Sequence, residues 1–350
     1  TATLTQVEDR GSARGARPAA IAIVNGQSIE PLDIDDGIWR LTVSATDFAD
    51  NKNSLSGGVF EVIHDVLSPR TEQTVAGGVS LLEGGTTYIT GDTLLKLASV
   101  DDLVLAEDGI GLGVKKQAVR LKSEGSIVKE LIFENPEPKQ GTVFTSTFTG
   151  SALELAEGLY SFAYHADDVL GNIEAEKALA IALDNTAPVT SLNISASLYI
   201  EDEIRYITPQ SVLWFTAADP LSNNTASGVL LTKYRPDGGN WQVYLGSFTI
   251  AAGGPHTVDY YSLDRVQNAE PLKSVKIAVD NTPPVSRLTS GQPKYELAGY
   301  TLVSAATLLT LEAADPLAGG VASGLSGIYY SIDASTAAPY FIPFALPGSG

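Results

Sequence analysis

The sequence predicts an all-β protein built from repeated sandwich modules, and three observations carry that expectation. Glycine and proline are abundant, with 33 and 18 among 350 residues, which disfavours long helices. Apolar and polar residues alternate over short segments, as in Val275, Ile277, Val279 and in Leu179, Ile181, Leu183; this is the period of a strand with one buried face. Finally, the chain repeats itself: residues 160–190 match residues 256–286 at an offset of 96 positions, the signature of a modular array.

Taken in order, each copy runs an aromatic strand into Asp-x-x-x-Asn (Asp168/Asn172, Asp264/Asn268), then a glutamate, an alternating strand and Asp-Asn-Thr. A more divergent copy near the start has Asp47 and Asn51 at the paired positions and Asp65 as the closing aspartate. The segments before these also match: those beginning at Tyr88, Tyr206 and Leu302 share one pattern. Turn signals such as Pro236-Asp-Gly-Gly, Gly253-Gly-Pro and Asp219-Pro recur roughly every ten residues. A repeat of about 95 residues with about seven strands has the size of an immunoglobulin-like β-sandwich.

The expected organisation is therefore tandem immunoglobulin-like β-sandwich modules joined by short Pro-containing linkers. Residues 1–70 form a partial module of later strands, and 71–188 a module whose span between Gly109 and Gly150 is lengthened by a loop or hairpin. Residues 189–285 form another module, and 286–350 a partial one of early strands. No Cys is available for a staple, so the core falls to aliphatics and aromatics such as Trp214 or Phe215, Trp241, Tyr244, Tyr260 and Tyr261. A sandwich short of its last strands leaves Val303, Leu309 and Tyr329 needing a cover. Either the next residues of a longer repeat chain or a head-to-tail neighbour would supply it, and a linear assembly is expected in both cases. The absence of Met marks the sequence as a mature or excerpted segment.

The run aromatic-Tyr-x-x-Asp-x-x-Gly/Gln-Asn-x-Glu, a strand, then Asp-Asn-Thr-Pro-Pro resembles the bacterial Ig-like tandem repeats of large secreted and cell-surface proteins. Tyr329-Tyr-Ser-Ile-Asp and Pro343-Phe-Ala-Leu look similar to that family too. The resemblance implies a sandwich fold and an extracellular or cell-surface setting. It implies no reaction, since one sandwich carries many functions.

Charge and motifs narrow the chemistry. A net charge of −19 disfavours nucleic acid and anionic membrane as partners, and no apolar run approaches the length of a membrane-spanning helix. His64, His165 and His256 are the only imidazoles, without zinc spacing, and His64 takes the place of Leu183 and Val279 at a core or junction position. No Gly-x-Ser-x-Gly elbow occurs, no helix pattern follows the Gly109-Ile-Gly-Leu-Gly run, and sequence places no carboxylate pair in a cleft. No enzyme activity is expected.

The repeated acidic and amide residues remain. Asp-x-x-x-Asn reads first as a turn in which Asp and Asn bond their own backbone, followed by a stiff Pro-containing linker. Twelve residues separate Asn172 from Asp184 and Asn268 from Asp280, a strand length of about 40 Å. Each Asp-Asn linker thus falls at the pole opposite its own turn and beside the loops of the next module. Three junctions are expected: Asp184 and Asn185 with Asp219, Asp264, Asn268 and Glu270; Asp65 with Asp101, Asp102 and Asp168; Asp280 and Asn281 with Asp315. Clustered carboxylate and amide oxygens suit Ca²⁺. The favoured function is a structural component of an extracellular bacterial surface fibre, stalk or adhesin, partnered by itself or neighbouring repeats and by a surface glycan or protein receptor. The alternative is a set of carbohydrate-binding modules ancillary to a secreted glycan-active enzyme, with Trp39, Trp241 or Tyr340 stacking on sugar rings.

Overall fold

A computed structural model of the chain describes residues 2–9, 20–23, 37–62, 65–101, 111–195, 199–333 and 335–346. They form an almost entirely β, multi-sheet architecture that divides into two compact units, Thr1–Asn185 with Leu221–Ser227, and Thr186–Pro220 with Gly228–Gly350. Among the described residues no helix is long and apolar enough to cross a membrane.

In the first unit, β1 (Ala2–Asp9), β2 (Ala20–Ile23), β3 (Gly37–Thr46) and β4 (Lys52–Val62) make a sheet in the order β2-β1-β3-β4. Next come β5 (Arg70–Gly77), β6 (Ser80–Glu83), β7 (Thr86–Ile89), β8 (Leu94–Val100), β9 (Val114–Ser123), β10 (Ser126–Glu134), β11 (Phe144–Thr149), β12 (Gly158–Asp168) and β13 (Lys177–Leu183). They build a six-stranded sheet, β10-β9-β12-β13-β7-β6, and a three-stranded sheet, β11-β8-β5. β13 runs parallel to β7, and the remaining ladders of these sheets are antiparallel.

Leu95, Leu97 and Phe148 from the smaller sheet meet Val119, Leu121, Phe162 and Ile181 from the larger in one core. Alternation supplies this core: along β8, Leu95, Leu97 and Ser99 are buried while the residues between them are half-exposed. At one place polar groups replace apolar ones. Gln117, fully buried, donates from Nε2 to Ser99 Oγ (2.8 Å) and Phe144 O (3.0 Å) and accepts from Ser146 Oγ (2.5 Å), so no buried group there is orphaned.

The second unit opens with β14 (Val189–Ile194), β15 (Tyr199–Glu201), β16 (Ile204–Ile207), β17 (Leu213–Ala218), β18 (Val229–Pro236), β19 (Gln242–Val243), β20 (Gly254–Asp264) and β21 (Lys273–Val279). The order β15-β16-β21-β20-β18-β19 repeats that of the first unit, again with a parallel pair, β16 with β21, while β14 pairs with β17. Phe215 settles the choice between adjacent aromatics. It is buried, with Tyr260 at 4.9 Å, Tyr244 at 5.1 Å and Phe248 at 5.8 Å, whereas Trp214 is half-buried.

Beyond these lie β22 (Val285–Ser290), β23 (Lys294–Leu297), β24 (Tyr300–Val303), β25 (Leu308–Ala314), β26 (Tyr329–Tyr330), β27 (Ala338–Pro339) and β28 (Phe344–Ala345). β22–β27 correspond in order to β14–β19 at 96 residues' remove, with β28 added after them, in the sheets β22-β25-β28, β23-β24 and β26-β27. Leu192 is 8% exposed and its counterpart Leu288 is 59% exposed. The difference arises because β20 and β21 cover the former, and no strand among the described residues covers the latter in that way. Tyr329 is likewise exposed, and Val303 and Leu309 are half-buried.

A buried carboxylate ties the first strand of each sandwich to its last hairpin. Glu174 accepts from Thr71 N (2.8 Å) and Ala166 N (3.2 Å) and pairs with Lys177 Nζ (2.7 Å), which donates to Thr71 O. Glu270 repeats the device with Thr190 N (3.0 Å), Ser262 N (2.8 Å) and Lys273 Nζ (2.8 Å), which donates to Thr190 O. Burial disfavours the ionised form of Glu270, yet the bonds from Lys273 and Thr190 outweigh it and hold its carboxyl below the ordinary 4.5. Its stabilisation is therefore complete above that pH and lost as pH falls through the lowered native value. Glu270→Ala should cost about 3 kcal/mol in chemical denaturation at pH 7, because the buried Thr190 and Ser262 amides lose their charged acceptor. The deficit should shrink under acid; equal stability of the two proteins at pH 7 would contradict the assignment.

Candidate metal centre

The Asp-x-x-x-Asn segments form the same turn in three places. In each, the aspartate amide donates to the asparagine carbonyl: Asp47 to Asn51 (3.0 Å), Asp168 to Asn172 (3.2 Å), Asp264 to Asn268 (3.1 Å). In each, the aspartate Oδ1 takes the asparagine amide and one more backbone N–H, and Oδ2 takes the asparagine Nδ2. Asp47 is exposed, and the Asn51 side chain and amide hold its carboxyl below its ordinary range. Asp168 and Asp264 are fully buried.

In the first unit Asp168 has company. Asp65 lies between β4 and β5 and Asp101 just after β8. Carboxylate oxygens of Asp65, Asp101 and Asp168 all fall within 4.8 Å of one another, on residues 6%, 2% and 0% exposed. Asp65 accepts from Leu112 N (3.1 Å) and Asp101 from the next amide, Gly113 N (2.8 Å), while Asn172 Nδ2 donates to Asp65 O (3.0 Å). Two consecutive amides can face this cluster because Gly113 has φ 104°, and a Cβ there would meet Lys139 N at 2.6 Å. Each carboxylate pair at this spacing repels by about 3 kcal/mol at an effective dielectric of 20. The N–H donors offset part of that, and a divalent cation would turn repulsion into attraction.

Asp102 and His64 lie outside the described residues. Elsewhere in the first unit, Asp184 accepts from Ser227 N (2.7 Å), and Asn185 Oδ1 accepts from Gly91 N (2.7 Å). In the second unit, Asp219 accepts from Gly228 N (2.7 Å) and brings a carboxylate oxygen within 4.8 Å of Asp264. Asp280 accepts from Thr282 N (3.0 Å) and Ser323 N (2.8 Å), and Asp315 from the next amide, Gly324 N (2.7 Å). Burial opposes ionisation of Asp280, but the bonds from Ser323 and Thr282 prevail and lower its carboxyl. Asp315 Oδ1 is buried without a hydrogen-bond partner.

Glu270 requires a correction. It does not join a carboxylate cluster, because both its oxygens are committed to the Thr190–Ser262–Lys273 lock. Asn281 is exposed, its Oδ1 taking the Thr282 hydroxyl at 3.3 Å. The paired amides were missed in the sequence, although Ala-Ser-Gly stands at both 226–228 and 322–324.

The histidines have other employment. His165 is buried with Nε2 3.6 Å from Asp167 Oδ1. His256 contacts Asp237 Oδ2 (2.8 Å) and Ala252 O (2.9 Å). Neither is joined to a serine hydroxyl in the manner of a nucleophile and base.

No family model and no curated protein matches the chain. Among solved structures it is similar to fibronectin(III)-like modules of Clostridium thermocellum CbhA, at 16% identity over 60% of this chain and 95% of that one, TM-score 0.27. It is similar to the FN1–FN3 domains of chicken CNTN1, at 10% identity over 71% and 77%, TM-score 0.30. A mutant of Salmonella alpha-2-macroglobulin matches at 11% identity over 90% of this chain and 22% of that one, TM-score 0.22. The similarity is distant and to fibronectin-III and Ig-like modules in general, with no one bacterial repeat family singled out, and the modules matched are non-catalytic.

Asn268→Ala removes the side-chain donor to a buried carboxylate and should cost about 2 kcal/mol in urea denaturation. Asn51→Ala, at the exposed copy of the turn, should leave stability unchanged. Equal effects at both positions would show that burial does not set the value of this bond.

Proposed function

We propose that the chain is a structural, non-catalytic segment of an extracellular bacterial surface fibre, stalk or adhesin, with β-sandwich modules following one another in sequence. Partners on this reading are neighbouring repeats or further copies, head to tail, and a surface glycan or protein receptor. The observation that carries it is the buried group Asp65, Asp101 and Asp168. Oxygens up to 4.8 Å apart are what two ligands on opposite sides of one Ca²⁺ present, since calcium–oxygen distances are about 2.4 Å. An ion there would clamp the segment between β4 and β5 to the ends of β8 and β12, and so stiffen the passage from one set of sheets to the next. Asp219 with Asp264, and Asp280 with Asp315, are assigned the same role.

Calcium at a hundredfold its dissociation constant stabilises by about 2.7 kcal/mol, a rise of roughly 5–10 °C in Tm for domains of 150–250 residues. The melting temperature should therefore fall on addition of chelator, and Asp65→Asn should show a smaller calcium response than the parent. Coincident melting curves with calcium and with chelator would remove the ion from the reading.

A second reading, modules ancillary to a secreted glycan-active enzyme, draws on Trp241. It is 38% exposed, with the Arg235 guanidinium 4.6 Å above its ring and Tyr261 edge-on at 4.9 Å. Trp39 is fully buried and takes no part, and Tyr340 is half-buried beside Tyr330 and Phe344.

A further inference from the structure

One turn is built three times with different tips. Thr90–Thr93, Thr208–Ser211 and Ser304–Thr307 each close with the fourth amide on the first carbonyl (3.2, 3.0 and 3.0 Å). In each, the fourth hydroxyl accepts the first amide (2.9, 3.1 and 3.0 Å). The tips are Gly91-Asp92, Pro209-Gln210 and Ala305-Ala306.

In the first copy the tip is closed off. Gly91 N donates to Asn185 Oδ1, Ser151 Oγ donates to Gly91 O (2.8 Å), and a Cβ at Gly91 would meet Ser151 Oγ at 2.7 Å. Pro209 has no N–H, so the equivalent bond to Asn281 cannot form. Asn281 instead lies against Gly253, where a Cβ would come within 2.7 Å of its amide nitrogen, and it faces a groove of about 470 Å³.

The groove also holds Tyr199 and Tyr206, cross-strand partners on β15 and β16 with ring centroids 5.6 Å apart and planes tilted by 44°. The corresponding pairs are Leu81 with Tyr88 and Tyr295 with Leu302, so both positions are aromatic only here. Tyr199 is 48% exposed and Gln210 is exposed. Both oxygens of Asp280 at the groove are taken by backbone amides.

The geometry points to a binding site for a neutral saccharide chain in the groove formed by Tyr199, Tyr206, Gln210 and Asn281. Pyranose rings bring an apolar C–H face, which suits the exposed ring of Tyr199 beside the half-buried Tyr206, and hydroxyls, which suit side-chain amides that both donate and accept. The volume lies in the range of small-ligand clefts. Neutrality follows from charge: the β15–β16 turn carries Glu201, Asp202 and Glu203, which would repel an acidic glycan. The site deepens the carbohydrate reading on a surface other than Trp241 and does not depend on calcium.

Affinity gel electrophoresis of the full chain with mixed-linkage β-glucan, xyloglucan, galactomannan and, as acidic control, polygalacturonate tests the proposal in calcium and in chelator. Retardation is expected by at least one neutral polysaccharide and not by the acidic one. Tyr199→Ala should weaken it roughly tenfold, while Tyr199→Phe should retain it. Gln210→Asp, which restores the residue of the first copy at an exposed turn tip, should also weaken it, and covers the case of a misfolded Tyr199→Ala. The proposal is overturned if no neutral polysaccharide retards the protein, or if retardation survives both Tyr199→Ala and Gln210→Asp. Neither result bears on the calcium response of Asp65→Asn.

Discussion

A carboxylate taken out of water must be surrounded by N–H donors, and much of the architecture at the strand ends answers that demand. Asp168 and Asp264 are fully buried, and each folds the following residues around itself until backbone and asparagine amides point inward. The turn geometry is thus a solvation shell made of protein. The same demand explains the glycines at 113, 228 and 324, each at positive φ and each offering an amide to an aspartate. Glu174 and Glu270 meet it differently, with a lysine that also binds the neighbouring carbonyl.

What could be read in the sequence was what depends on near neighbours. Alternation along β13 and β21, and the Asp-x-x-x-Asn turns, involve residues within a few positions of one another, so strand and turn were both legible. The role of Glu270 was not, because its partner Thr190 is 80 residues away and becomes adjacent only once β14 lies beside the last hairpin. Nor could adjacent aromatics be sorted. Trp214 and Phe215 point to opposite faces of β17, and a one-residue change of register would exchange them. Trp39 was weighed as a sugar-stacking residue and is instead fully buried.

The three four-residue turns show how a repeat frees some positions by fixing others. The hydroxyl at the fourth position and the carbonyl at the first recur in every copy, and those two bonds close the backbone each time. The two central side chains then contribute little to closure. Gly91 is the exception, confined by Ser151, and there the tip belongs to the packing of its own unit.

The parallel pairs, β7 with β13 and β16 with β21, bear on how the chain acquires its form. Thr86 finds Ala180, and Arg205 finds Ile277, so an early strand in each sandwich waits for the final one. Such pairings raise contact order and slow folding relative to hairpins, since the intervening chain must be gathered first. On a ribosome, which releases the chain from its amino end, β7 would emerge with its ladder edge unfilled until β13 had cleared the exit tunnel. The short hairpins β6–β7 and β15–β16, each made with an immediate neighbour, occupy the other edge of the waiting strand during that interval.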